Sequence, residues 1–304
     1  MSTLSARLDS YAELRRALGY KPEADARLLS GFVRYLGAAG QPTVTVDAAL
    51  AWAAQAPTAP AGAARLTVLR GFARYLSRSD PACQVPPVGL IRANKVRPAP
   101  HIYSPAELAA LLQATATLVP GVWAATMGTL IGLMAATGIR PGEAYRLQDE
   151  HVDLERAALS IVNSKRGKSR RIPLHTTTVE ALTIYTEARG RAFRSGGAFF
   201  LSAQGACLTS HDAAPVFRHL LGVASIEPAA GRRRARLGDL RHTFAVSTLL
   251  DWHQAGADVA RQLPVLSAYL GHNDPHATYW YLEAVPELMA VVARRLERAW
   301  EGRQ

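Results

Sequence analysis

The sequence predicts a mainly α-helical chain with a small antiparallel β-hairpin, divided into a helical N-terminal domain and a larger α+β domain. Three observations lead there. Apolar residues recur at helical spacing through most of the 304 residues. Two short apolar, β-branched runs, 159–163 and 170–174, flank the turn Ser164-Lys165-Arg166-Gly167-Lys168-Ser169, the pattern of a hairpin. Five prolines between Pro81 and Pro100 interrupt the helical pattern, because proline fixes φ and lacks a backbone N–H.

In chain order, the first domain reads as helices over 5–18, 22–38, 46–55 and 61–78. In the last of these, Leu69, Phe72 and Leu76 share one face, while Arg70, Arg74 and Arg78 recur every four residues on another. Such a helix docks on a core and presents guanidinium groups outward, either to phosphates or to solvent. The proline-rich stretch adds Arg92, Lys95 and Arg97. Its end, 99–103, reads as an inter-domain linker, the alternative being a surface loop within one domain. Ser104, Pro105 and Glu107 then give a capping-box helix start. After the hairpin, Phe199, Phe200 and Leu201 suggest a short strand. A closing amphipathic helix spans 286–300, with Leu288, Val292, Leu296 and Trp300 at intervals of four. The expected domains are 1–98, the linker 99–103, a second domain 104–285 and a C-terminal helical segment 286–304.

Charge narrows the function. Thirty-five Lys and Arg against 24 Asp and Glu give +11, with a pI near 10.1, a field that attracts a polyanion. Residues 1–103 hold 13 basic and 6 acidic side chains (+7), leaving 22 and 18 (+4) for 104–304. Cys83 and Cys207 lie far apart and in no metal-ligand spacing, so neither a disulfide scaffold nor a zinc site is expected. No uncharged apolar run long enough for a membrane span appears, and residues 1–10 lack a signal-peptide core, so a cytoplasmic protein is expected.

Four segments carry chemistry. The first is Thr137-Gly138-Ile139-Arg140-Pro141-Gly142-Glu143, where a glycine turn precedes an arginine and a carboxylate follows three residues on. The second is the hairpin turn with Lys165 and Lys168. The third is Leu237-Gly238-Asp239-Leu240-Arg241-His242-Thr243, preceded by Arg232, Arg233 and Arg234. The fourth is Leu270-Gly271-His272, followed nine residues later by Tyr281 within Thr278-Tyr279-Trp280-Tyr281-Leu282. In this order and spacing they resemble the catalytic domain of the tyrosine recombinase (phage integrase) family, over about residues 104–285. The Tyr-Trp-Tyr-Leu run is similar to recombinases of bacterial mobile elements, and residues 1–98 resemble the family's core-binding, DNA-binding domain.

The resemblance implies that Arg140 and Arg241 clamp the scissile phosphate, that His272 adds a hydrogen bond and Glu143 a supporting contact, and that Tyr281 attacks phosphorus to give a 3′-phosphotyrosyl link. Lys165 matches the hairpin general acid, with Lys168 as the alternative, and Tyr279 competes with Tyr281 for the role of nucleophile. Double-stranded DNA is the implied partner, bound by Arg70, Arg74, Arg78, Arg92, Lys95, Arg97, Lys168, Arg232, Arg233 and Arg234. A homo-tetramer on DNA is implied, monomeric or weakly dimeric when free, with related recombinases or accessory proteins as further partners. The segment 286–304 docks on a neighbouring protomer or on its own domain. No cofactor, metal or ATP is implied. One departure stands out: Gly238 occupies the position, three before the second arginine, where the family usually has His. Two readings follow: a recombinase with reduced activity, or an impaired homologue acting as a sequence-specific DNA-binding partner. A relaxing topoisomerase fits less well with a separate basic domain.

Overall fold

The computed structural model describes residues 4–93, 99–162, 167, 169–193, 196–228 and 233–271. The chain divides into two compact units, Met1–Arg97 and Pro98–Gln304.

Among its described residues the first unit contains four helices, α1 (Leu4–Ala17), α2 (Glu23–Ala38), α3 (Val46–Ala54) and α4 (Ala59–Leu76). Their limits agree with the helical periodicity to within two residues. Thr45 and Thr58 start α3 and α4 by accepting the N–H groups of Ala48 and Ala61, which would otherwise lack an intrahelical partner. Leu29, Phe32 and Leu36 of α2 meet Leu66, Leu69, Phe72 and Leu76 of α4 in the core. Trp52 closes it, its ring centroid 5.0 Å from that of Phe32. The proline-rich stretch does not detach after Pro81. Cys83 and Pro86 are buried, and the Gln84 N–H donates to the Val44 carbonyl at 2.8 Å.

The second unit is built around α6 (Gly121–Thr137), a helix apolar on nearly every face. Such a helix is stable only when surrounded, and Trp123, Met127, Leu130, Ile131, Leu133 and Met134 are all in the core. It packs against α8 (Thr176–Ala192) and α10 (Asp239–Gln254), while α5 (Pro105–Ala114) packs on α9 (Ser210–Val223). The expected capping box opens α5: Ser104 Oγ accepts from Glu107 N and Glu107 Oε2 accepts from Ser104 N. Residues 99–103, which read as a linker, are tied to this unit. Tyr103 is buried, and its N–H donates to Thr243 Oγ1 at 3.0 Å.

A three-stranded antiparallel sheet, β1 (Val152–Asp153), β2 (Ala158–Ile161) and β3 (Arg170–Pro173), contains the expected hairpin. Leu159 pairs with Ile172 and Ile161 with Arg170, so Leu159 and Ile172 turn into the core together. Residues 199–201 form no strand. Leu201 makes an isolated bridge to Cys207, and Phe199 and Phe200 instead fill the core beside Tyr185.

Between α6 and the short helix α7 (Pro141–Ala144), Gly138 adopts φ +62°. A Cβ there would stand 2.5 Å from Phe244 Cδ1. Gly138→Ala therefore combines a disfavoured backbone with overpacking, and should cost about 1–3 kcal/mol. The check is a lower denaturant midpoint for the unfolding transition of the second unit; an unchanged midpoint contradicts it.

Candidate active site

The site is assembled at the end of α11 (Val259–Leu270). The last carbonyls of a helix have no intrahelical donor and carry the negative end of its dipole. Here three consecutive ones each receive a guanidinium group. Arg170 Nε donates to the Tyr269 carbonyl at 2.8 Å. Arg241 Nη2 donates to Leu270 at 2.7 Å, and Arg140 Nη2 to Gly271 at 3.1 Å. Arg140 and Arg241, expected from sequence to act together, thus converge on adjacent peptide groups.

Each side chain arrives by a local device. The left-handed turn at Gly138 ends α6 and sends the chain back through Arg140 into α7. Arg241 lies on the inner face of α10, with 6% exposure, and its Nη1 donates to the Gly138 carbonyl at 2.7 Å. One guanidinium group therefore ties the arginine turn to the end of α11. Arg140 keeps 30% side-chain exposure against 13% for Arg170, so Arg140 is the more open to a ligand.

Glu143 lies beneath the arginines, buried to 4% exposure. Oε1 accepts from Arg140 Nη1 at 2.8 Å and from Arg170 Nη1 at 3.1 Å. Oε2 accepts from Arg170 Nη2 at 2.8 Å and from the Arg140 N–H at 3.0 Å. Burial pushes its pKa up, but the hydrogen bonds and charge of Arg170 and the donors of Arg140 outweigh it, bringing the carboxyl down to about 2.

Sequence reasoning missed Arg170 as a site residue, although a signal for it existed. Arg170 lies two residues before buried Ile172, hence on the core-facing side of β3. A charged residue at such a position calls for a buried opposite charge, and Glu143 is that partner.

Gly238 stands at the N-terminal boundary of α10, with φ −64° and ψ −17°. Within 4 Å, a Cβ there would meet only Pro141 Cγ, at 3.9 Å. The residue borders a cavity of about 390 Å³ also lined by Pro141, Tyr145, Phe217, Arg218 and Arg234. A larger side chain has room. The next residue, Asp239, is buried. It accepts a forked pair of hydrogen bonds from Arg233 at 2.9 and 2.6 Å, and a third from the Arg236 N–H at 2.9 Å.

The expected DNA-contacting arginines divide accordingly. Arg233 is engaged with Asp239. Arg70 donates to the carbonyls of Pro86 and Pro87 at 2.8 and 3.2 Å, bracing the proline-rich stretch. Arg74, Arg78, Arg92 and Arg234 are exposed. Lys95, Arg97, Lys165, Lys168, Arg232, His272, Tyr279 and Tyr281, with the segment 286–304, lie outside the described residues.

Comparison with known proteins agrees with this architecture. The phage integrase family model matches residues 103–287. The protein named integrase/recombinase y4rB of Sinorhizobium fredii is 38% identical over all of both chains. Tyrosine recombinase XerD of Pseudomonas putida is 31% identical over 76% of this chain and 74% of its own. Among solved structures, the Tn1549 transposon integrase in complex with transposon right-end DNA superposes with TM-score 0.66 at 17% identity, covering 96% of this chain and 99% of that one. A lambda integrase dimer bound to a core site gives TM-score 0.64, also at 17% identity, over 92% and 95%.

The chain belongs to the phage integrase family, whose members include the tyrosine recombinases, and site-specific recombination is the activity that membership supports.

The Glu143 carboxyl predicts an acid-limb effect. Its folded pKa, about 2, lies below the ordinary 4.5, so the unfolded chain binds the extra proton first. The stabilisation is complete above about 4.5 and is lost as pH falls towards 2. Urea unfolding of the second unit should show this slope in the wild type and a reduced slope in Glu143→Gln; equal slopes contradict it.

Proposed function

We propose that the chain is a site-specific recombinase that cuts and rejoins double-stranded DNA through a 3′-phosphotyrosyl link to Tyr281. The observation that supports this reading best is the convergence of Arg140 and Arg241 on the carbonyls of Leu270 and Gly271, next in sequence to His272. Attack on a phosphodiester builds charge on the equatorial oxygens, and two preorganised guanidinium groups oppose it. In this mechanism the Tyr281 oxygen bonds to phosphorus as the bond to the 5′ oxygen breaks. Lys165 gives a proton to that leaving oxygen, and the phenol proton passes to solvent. The covalent link conserves the phosphodiester energy, so a 5′ hydroxyl from another duplex reverses the attack without ATP. Work on two DNA sites calls for four protomers, and the four together form the proposed assembly on DNA.

DNA binding by the first unit is part of the same proposal. The solved Tn1549 and lambda relatives are described as bound to DNA, and exposed Arg74 of α4 and Arg78 in the turn that follows it suit phosphate pairing. Removing one arginine–phosphate pair should lower the slope of log K against log salt by about 0.9. Arg74→Gln with Arg78→Gln should therefore reduce it by about 2 in a filter-binding titration, and an unchanged slope means that DNA is held elsewhere on the protein.

Gly238 favours one alternative, a DNA-binding partner that does not cleave, because the position holds no acid or base. A nicked suicide duplex carrying the chain's recombination site separates the two. A covalent adduct in the wild type but not in Tyr281→Phe supports the recombinase; specific binding without adduct supports the partner. With open space at its Cβ, Gly238→His should raise the single-turnover cleavage rate about tenfold or more, since a placed acid/base group contributes roughly 10²–10⁴-fold. An equal or lower rate contradicts that role for the position.

A further inference from the structure

The geometry points to Arg170 as a positioning residue for the phosphate-binding arginine Arg140, acting through Glu143 and the carbonyl end of α11. This deepens the recombinase reading and rests on it.

Arg170 spends its donors on protein groups. Nε goes to the Tyr269 carbonyl at 2.8 Å, and the two terminal nitrogens go to the two oxygens of Glu143 at 3.1 and 2.8 Å. Both terminal nitrogens pair with the buried Glu143 carboxylate, so the charge of Arg170 is offset there instead of being offered to a phosphate. Its importance lies in what those acceptors hold in turn. Glu143 Oε1 carries Arg140 Nη1, and Oε2 carries the Arg140 backbone N–H. The other end of the Arg140 guanidinium is fixed by the Gly271 carbonyl, two residues beyond the carbonyl that Arg170 holds. Arg170 therefore braces both anchors of Arg140, the carboxylate and the turn after α11.

A close approach tightens this arrangement. Gly271 adopts φ +66°, and a Cβ there would lie 2.9 Å from Arg170 Nη1 and 3.2 Å from its Cζ. The Arg170 guanidinium thus lies directly against the backbone that ends the helix. It also joins β3, through its own backbone, to α7 and α11, elements far apart in sequence.

Charge explains why an arginine does this. Glu143 is shared by two cations, and removing the Arg170 guanidinium takes away two of the four donors of a buried carboxylate. A lysine at position 170 supplies the charge but not a planar fork that reaches both carboxylate oxygens and a carbonyl at once. A misplacement of about 1 Å caused by a change away from the chemistry can cost about 10²-fold in rate.

The test uses the full chain and its nicked suicide duplex, with the site selected by binding from a random duplex pool. Arg170→Met and Arg170→Lys are compared with wild type in DNA affinity, melting temperature and single-turnover cleavage at saturating DNA. The expected result is a roughly 10–100-fold slower cleavage in Arg170→Met, with DNA affinity within about twofold. Arg170→Lys should fold like wild type yet remain at least about fivefold slow, because the fork is missing. Glu143→Gln combined with Arg170→Met should be little slower than the worse single variant, since both act on one arginine. Cleavage within about twofold of wild type in either Arg170 variant overturns the inference. So does a deficit that merely follows DNA affinity or melting temperature, or full additivity in the double variant. A wild type that forms no adduct removes the recombinase reading itself, and this role with it. An adduct in wild type with an equal rate in Arg170→Met removes the positioning role alone.

Discussion

A carboxylate at 4% exposure stays ionised only if its surroundings replace the water it has lost, and Glu143 shows how much structure that requires. Two guanidinium groups and one backbone N–H fill its oxygens. They come from the turn after α6 and from β3. The same two guanidinium groups continue to the carbonyls of Tyr269 and Gly271, so α11 is drawn into the network. Arg241 completes it by linking the Gly138 and Leu270 carbonyls. Segments as far apart in the chain as Arg140 and Gly271 are thereby held to one point.

This network sets the electrostatics of the site. Three cations gathered in one place would repel each other in water-poor surroundings. The buried carboxylate and the negative ends of the helix carbonyls offset that repulsion, leaving a local excess of positive charge. A site of that sign, organised before any ligand arrives, suits a phosphodiester, whose charge grows during substitution at phosphorus. It also explains the packing nearby. Gly138 and Gly271 are both left-handed, and each lies against a side chain of the network or its support, Phe244 and Arg170 respectively.

Much of the architecture is legible in the chain. The four N-terminal helices follow the apolar spacing, the capping box at Ser104 is written in three residues, and the hairpin follows from two β-branched runs. The arginine boxes are legible because a glycine turn and a carboxylate at +3 leave a local mark. What the chain leaves open depends on neighbours distant in sequence. Phe199 and Phe200 carry strand propensity, yet they face Tyr185 and the core instead of a partner strand. Arg70 stands one turn before Arg74 in α4, and two proline carbonyls from the following stretch take up its guanidinium group; Arg78, expected on the same helical face, lies beyond the end of the helix at Leu76. Arg233 likewise looks like part of a basic run until Asp239 claims it.

The sequence by itself determined the four N-terminal helices, the start of α5 and the hairpin, the charge that draws a polyanion, and the order of the residues with reactive chemistry. Those properties are set within a few residues, by periodicity, capping and side-chain type. Only the tertiary structure decided which charges distant in sequence meet, Arg170 with Glu143 among them. Hydrogen-bond partners of Arg140, Arg170 and Arg241 are fixed by where α11 ends in space, and no spacing within the chain encodes that position. Whether an arginine faces a ligand, a carboxylate or a carbonyl depends on which of these lies within about 3 Å, and packing brings them there.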